Sequence, residues 1–405
     1  MNIGLMRLVD YWLGVPLCFA LSIVDVFVRL TGLGRQTAKL LPRKIAFIKL
    51  SEMGAIILAY PLLTAAKKEL PQADIFFVTF RRNRSVFSLF PGLVKDSNII
   101  TIRESGPFAF IADTFAAIRR LRREKIEVLF DLEFFSRFTA ILSYLSAAKK
   151  RVGFYRYNYE GLYRGSLFTH RLQYNPLLHI SRSYLSLWQA LKTDKKVSPE
   201  LAEKVNDKDI VLPQPAAPAE MVEKTRAALR QAGIGENSRV FLLNPGEGML
   251  ALREWPLENF ACLAKKILAD NRNAVVLVGT KEAAKKGGLL LEAIGSSRCT
   301  SLIAKTEVPD LLALFSISEA LIANDCGLAH IAGLSTIKKF IIFGPESPAV
   351  FGPLGKNNFV FYSGLACSPC LSALNHRKSS CRDSRCLKAI SPDSVYNLIL
   401  QNLRE

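Results

Sequence analysis

What constrains this chain most is an alternation. Short runs rich in β-branched and aromatic residues trade places with stretches whose apolar residues recur at helical spacing, first over one half of the chain and then over the other. In the first half "KIAFIKL" (44–50), "ADIFFVTF" (73–80), "SNIITI" (97–102) and "EVLFDLE" (127–133) read as strands, with "AIILAYPLLTAAKKEL" and "FIADTFAAIRRLRRE" as helices among them. The pattern fades through "YNYEGLYRGSLFTHRLQYNP" and resumes as a helix near Ser183 to Leu191. It then meets the proline-bearing "VLPQPAAPAE" (211–220), which reads as linker. Alternation restarts with "RVFLLNP" (239–245), "NAVVLVGT" (273–280), "TSLIA" (300–304), "EALIAND" (319–325) and "KKFIIFG" (338–344). Strands and helices in this order make parallel sheets wrapped by helices, so the expected fold is α/β, two doubly wound domains facing a cleft. The expected boundaries are an apolar segment at 1–43, a first domain at 44–210, a linker at 211–235 and a second domain at 236–405, ending in a cysteine-rich tail and a helix.

A length of 405 residues exceeds one ordinary core, in agreement with two domains. The formal charge of +19, from 54 Lys and Arg against 35 Asp and Glu, predicts attraction to polyanions such as an anionic membrane or a phosphorylated substrate. The basic residues fall in short pairs (Lys67-Lys68, Arg119-Arg120, Lys149-Lys150, Lys265-Lys266) with no basic aromatic motif, so nucleic acid is not an expected partner. Of eight cysteines, Cys367, Cys370, Cys381 and Cys386 crowd the last forty residues, unlike a secreted disulfide framework. Their C-x2-C and C-x4-C spacings allow a structural zinc site, but reduced cysteines packing a loop is the favoured reading. Asp207 and Asp209 form a D-x-D in a polar stretch, a weak footing for a metal-dependent reaction.

From Tyr11 to Val24 the chain carries no charge, and Asp10 and Asp25 bound the stretch at fourteen residues. That falls short of the ~20 a spanning helix needs. The segment lacks a basic start and a small-residue cleavage site, so it is not read as a removable signal. Arg29, Arg35, Lys39, Arg43 and Lys44 follow it, which predicts a peripheral anchor on the cytoplasmic face of the membrane. A core helix lying across the first domain is the rival, and a tilted or re-entrant span is a further alternative.

"ANDCGLAHIAG" (323–333) places Asp325 at a strand end, Gly327 in the turn and His330 in the first turn of the next helix. Amide N–H groups at that start would hold a diphosphate, or Asp325 is an ordinary N-cap. In "NPGEGMLALREWPLENF" (244–260), Arg253 can pair with phosphate oxygens. Glu282 stands just past a strand, where its carboxylate either accepts sugar hydroxyls or serves the helix dipole.

These stretches, together with "KLSEMGAIILAYPLL", "DLEFFSRFTAILSYLSAAKKRVGF" and "FGPESPAVFGPLG", resemble the glycosyltransferase family 9 heptosyltransferases over nearly the whole chain after Arg43. The resemblance implies a GT-B fold, with an acceptor-binding first domain and a second domain holding a nucleotide-activated sugar, typically ADP-heptose. It implies metal-independent transfer with inversion to a lipid-linked glycan, and no cofactor. Carried over by residue, Asp325, Cys326, Gly327, Leu328 and His330 fall at the diphosphate and sugar, Glu282 at the nucleotide, and Arg253 where the family usually has lysine. Cys326 stands in place of a threonine, and Ala55 in place of the aspartate used as catalytic base.

The loss at Ala55 matters because general-base catalysis contributes about 10² to 10⁴ in rate. Glu52 in the same loop is the first candidate to replace it, and Glu133 at the end of the fourth strand the second. A solvated or helix-start charge is the bland reading of each. A member that binds nucleotide sugar or glycan without turnover is the alternative to an active transferase.

Overall fold

A computed structural model describes residues 3–31, 42–155, 162–193, 204–246 and 250–403. The chain divides into two compact units, Met1–Ile210 and Val211–Glu405.

The first unit holds a parallel sheet of β1 (Lys44–Ile48), β2 (Asp74–Phe80), β3 (Ile99–Ile102), β4 (Val128–Asp131), β5 (Lys150–Tyr155) and β6 (His170–Gln173), in the order β3-β2-β1-β4-β5-β6. Its helices are α1 (Ile3–Trp12), α2 (Gly14–Leu30), α3 (Met53–Leu58), α4 (Tyr60–Glu69), α5 (Pro107–Arg123), α6 (Arg137–Leu145) and α7 (Ile180–Lys192). Ile45 pairs with Ile75 on one side and Val128 on the other, so β1 is central and its side chains are buried on both faces. That is why these strands read as unbroken apolar runs. Phe47 stacks between Phe77 and Phe130, with ring centroids at 6.3 and 5.1 Å, and Trp188 of α7 continues the stack at 5.6 Å from Phe130.

Strand β6 lies inside the stretch where the sequence pattern fades and β5 just before it, and neither is among the expected strands, which corrects the reading of that region. Both are short, and the charge of Arg151 on β5 is met by other parts of the unit: Nε donates to Leu167 O at 2.7 Å, Nη1 to Ala148 O at 2.9 Å and Nη2 pairs with Asp25 at 3.4 Å.

The amino-terminal helix is also longer than the fourteen residues expected. Helix runs almost without break from α1 through α2, and by length and composition Gly4–Leu30 suffices to cross a membrane. Asp10 and Asp25 do not bound it, because both turn inward. Asp10 accepts from Phe138 N at 2.8 Å and Arg137 Nη1 at 3.2 Å, while Asp25 pairs with Arg29 at 2.5 Å and Arg151 at 3.4 Å. Between them Cys18 is buried, and Ser22 Oγ accepts from Ser166 N at 2.8 Å. Gly14 permits close approach, since a Cβ there would sit 2.7 Å from Arg137 Cβ. One small and polar stripe therefore docks on the first unit and leaves the apolar side facing outward. Arg35 and Lys39 lie outside the described residues.

The second unit holds β7 (Arg239–Asn244), β8 (Asn273–Leu277), β9 (Cys299–Ser301), β10 (Ala320–Asn324), β11 (Lys338–Phe343) and β12 (Asn358–Tyr362), in the order β12-β11-β10-β7-β8-β9, again parallel. Its helices are α8 (Ala219–Gln231), α9 (Leu257–Leu268), α10 (Ala284–Ile294), α11 (Val308–Ser316), α12 (Gly327–Ala332), α13 (Pro348–Phe351), α14 (Arg385–Lys388) and α15 (Pro392–Leu403). Residues 211–235, expected as a linker, instead contribute α8, which packs on α11 and buries Thr225 and Leu229. The core gathers Phe241, Trp255, Phe260, Leu263, Ile322, Phe340 and Leu387, so the carboxyl-terminal segment packs into the second unit's own core.

Candidate active site

In the second unit the site residues gather at the carboxyl ends of β7, β10 and β11, where parallel sheets bind ligands. Asn324 closes β10 and ties the loops together: its Oδ1 accepts from Trp255 N at 3.0 Å and its Nδ2 donates to Gly246 O at 3.2 Å. Asp325 follows, buried, with its amide donating to Ile342 O at 3.1 Å. Arg253 approaches from the turn Ala251–Arg253, with Nε 3.6 Å from Asp325 Oδ2 and Nη2 2.7 Å from Glu346 Oε1. Glu346 takes a second guanidinium, Arg377, at 2.9 Å, and Arg377 lies 5.0 Å over the Phe351 ring.

Two carboxylates and two guanidiniums thus form one buried network, which holds Arg253 in a fixed direction. Paired charges of this kind are stable away from water only with several well-made hydrogen bonds. The sequence reading singled out Arg253 and Asp325 but missed Glu346 and Arg377. Glu346 stands three residues past β11, and Arg377 follows His376 in consecutive left-handed residues, both at φ 53°. That irregular backbone aims Arg377 at the site and is the local signal of a constrained position.

Cys326 is the N-cap residue of α12, and burial pushes its thiol up to about 11 against the pull of the Ala329 and Leu328 amides. Gly327 opens the helix, and Leu328 and His330 are buried within it. Glu282 lies on the exposed turn Lys281–Ala283 beyond β8. The adjoining Ala283 would lie 3.5 Å from a Cβ on Gly246, so this turn borders the loop that Asn324 holds. Residues 247–249 of that loop lie outside the described residues.

In the first unit the loop after β1 is held by Glu133. Its carboxylate accepts from Lys49 Nζ at 2.7 Å, Leu50 N at 2.8 Å and Ser51 N at 3.0 Å, with Ser51 Oγ at 3.2 Å. Both oxygens are engaged, so in this geometry Glu133 positions the loop. Beneath it Asp131, wholly buried, pairs with Arg164, which also donates to the carbonyls of Ser136 at 2.9 Å and of Glu133 and Phe154 at 3.3 Å. Glu52 follows the clamped residues with φ 66° and ψ 96°, a conformation costly for a residue with a side chain, and then starts α3. Ala55 is half-buried one turn later, and its amide donates to Glu52 O at 3.0 Å.

A depression of ≈ 490 Å³ lies beyond β2 and is lined by Arg81, Arg82 and Arg84 among others. Arg82 pairs with Glu104 at 3.0 Å and Arg84 with Asp96 at 2.6 Å. Among the described residues no cluster of His, Cys, Asp and Glu is arranged to hold a metal, the tail cysteines included.

Two parallel six-stranded sheets with this strand order, and a charged loop cluster at the carboxyl ends of the second, define a GT-B-like α/β protein. The profile of glycosyltransferase family 9 (heptosyltransferase) matches residues 114–380, and the chain belongs to that family. Lipopolysaccharide heptosyltransferase 2 of Escherichia coli (strain K12) is 29% identical over 113 residues, 27% of this chain and 32% of that protein, so the match spans about a third of the relative's length. The fold matches the structure of Escherichia coli ADP-heptose lipopolysaccharide heptosyltransferase II with a TM-score of 0.66 at 20% identity, over 89% of this chain and 98% of that one. A family 9 glycosyl transferase from Veillonella parvula matches with a TM-score of 0.68 at 17% identity, over 89% and 97% of the two chains.

Proposed function

We propose that the protein is a glycosyltransferase that moves heptose, or a related sugar, from an ADP-activated donor to a lipopolysaccharide-core or other lipid-linked glycan. The transfer is metal-independent and inverts the anomeric carbon. The observation that carries this reading is the buried set Arg253, Asp325, Glu346 and Arg377 beside the start of α12. A diphosphate is the ligand that a fixed guanidinium and a turn with a close-approach glycine recognise. The names of the similar proteins support heptose and ADP as sugar and nucleotide. The second unit takes the donor, with Glu282 on the nucleotide side and Cys326, Gly327, Leu328 and His330 along the diphosphate and sugar. The first unit takes the acceptor, and the arginines beyond β2 suit an anionic glycan.

The outward apolar side of α1–α2 supports attachment to the cytoplasmic membrane surface, where a lipid-linked acceptor resides. Because Asp10 and Asp25 are committed to the first unit, the helix lies along it rather than hanging free.

ADP release from ADP-heptose with a lipid-linked acceptor tests the activity. Binding of ADP-heptose without release would instead favour the idle binder. Asp325→Ala and His330→Ala are each expected to weaken ADP-heptose affinity by about 10- to 100-fold, the loss of one charge-assisted contact. Titration calorimetry reads this directly, and unchanged affinity in both variants would remove the site.

A further inference from the structure

Among the described residues, large exposed apolar side chains are not scattered evenly. Fourteen belong to α1–α2 and the intervening Leu13, three to α5, and only Leu177, Val211, Leu289 and Val360 lie elsewhere. Single exposed apolar residues need no explanation, but a stripe does.

On α5 the stripe is Phe108, Ile111 and Phe115, exposed by 88%, 51% and 68%, at the i, i+3, i+7 spacing of one helical face. The opposite face is spent on the core, where Ala117 and Leu121 are buried and Phe110 and Ile118 pack beside them. Exposed Ala112 and Ala116 widen the stripe, and exposed Arg119, Arg122 and Arg123 follow it. Asp113, the only acid on the helix, is withdrawn into a two-toothed pair with Arg103, at 2.8 Å for each contact. An apolar face that ends in arginines and shows no free acid matches a bilayer surface with anionic headgroups, where rings enter the acyl boundary and guanidiniums meet phosphates.

Its location agrees. The Phe110 ring lies 5.0 Å from that of Phe138 on α6, and Met6 of α1 packs against the same core. Asp10 caps the same Phe138 amide. Helices α1, α2 and α5 are thus all anchored around α6 in the helical layer of the first unit.

We propose that the outward face of α5 is a second lipid-contacting element. The first unit then rests on an anionic bilayer through α1–α2 and α5 together, which fixes its orientation as a single anchor helix cannot. This rests on the proposed membrane attachment of the amino-terminal helix.

The test is a tryptophan reporter in the full-length chain. Trp188 and Trp255 are buried and Trp12 is exposed, so Trp12→Phe with Phe115→Trp leaves one exposed indole, on α5. Mixed phosphatidylcholine–phosphatidylglycerol vesicles carrying an acyl-chain quencher should reduce its emission by at least about half. Co-sedimentation should show the variant bound, and Phe108→Ser with Ile111→Ser and Phe115→Ser should lower the vesicle partition coefficient at least about tenfold without changing the thermal midpoint. Arg119→Glu with Arg123→Glu should reduce the preference for phosphatidylglycerol over pure phosphatidylcholine by at least about threefold, the remainder coming from the basic residues that follow the amino-terminal helix. Bound protein with an unquenched indole and an unaffected triple variant would overturn the role of α5 and leave the amino-terminal anchor standing. Protein that stays off the vesicles would overturn both. Lipid-free self-association that the triple serine variant abolishes would make the face an interface between copies of this chain and overturn the lipid assignment.

Discussion

Replacing Arg164 with alanine is expected to destabilise the first unit by about 3–5 kcal/mol, the loss typical of a buried ion pair stripped of one partner. Asp131 is wholly buried, and burial alone pushes its carboxyl well above the usual carboxylate range. Arg164 opposes that push, and it also binds Thr139 Oγ1 and three main-chain carbonyls around α6. Its removal leaves a carboxylate and several acceptors without donors in a region closed to water. Native-state hydrogen exchange checks the size and the place of the effect: amides of β1 and β4 should exchange about 10²- to 10⁴-fold faster, since 1.36 kcal/mol is a factor of ten. Amides of β10 in the second unit should not change, because that unit has its own core. Asp131→Leu in the Arg164→Ala background should recover part of the loss by removing the stranded charge. A single-variant loss below about 1 kcal/mol would show that the pair holds nothing.

Much of the fold was legible because both sheets are parallel, so β1 to β4, β7, β8, β10 and β11 stand out as apolar runs, whereas the short edge strand β9 (Cys299–Ser301) only overlaps the start of the run expected at 300–304. Strands β5, β6 and β12 were not, since "KRVGFY" and "HRLQ" carry charges that only tertiary partners satisfy and "NFVFY" is a half-buried edge strand. Asp10 and Asp25 looked like the ends of an apolar helix because a sequence shows a charge and not the arginine it faces. The donor loop from Asp325 to His330 was readable because it is local. Glu346 was missed because it meets Arg253 across 93 residues, and Arg377 because it reaches the network only through Glu346. The hold on Glu133 was equally invisible: the Leu50 and Ser51 amides that grip it come from 83 and 82 residues away.

With Glu133 engaged, Glu52 carries the proposal for the missing base. Glu133 fixes Leu50 and Ser51, and the next residue is forced to φ 66° before α3 begins, so the loop holds Glu52 in a conformation that a relaxed chain would avoid. Ala55, one turn later, cannot accept a proton from an attacking hydroxyl. Glu52→Gln keeps shape and backbone while removing basicity, and is expected to lower turnover by at least about tenfold, and up to about 10⁴-fold, with little change in donor affinity. The pH profile separates this from a structural role. A base must be deprotonated to act, so wild-type turnover should fall on the acid side with a slope of one, and that limb should vanish in Glu52→Gln. Glu133→Gln, by contrast, should lower turnover and thermal stability together and keep the limb, as expected of a residue that acts through the loop. Ala55→Asp in the Glu52→Gln background should restore part of the rate. A wild-type chain inactive on every lipid-linked acceptor but active after Ala55→Asp would identify an idle binder. Turnover that survives loss of both Glu52 and Glu133 would sink the assignment and move the base to the substrate or to another side chain.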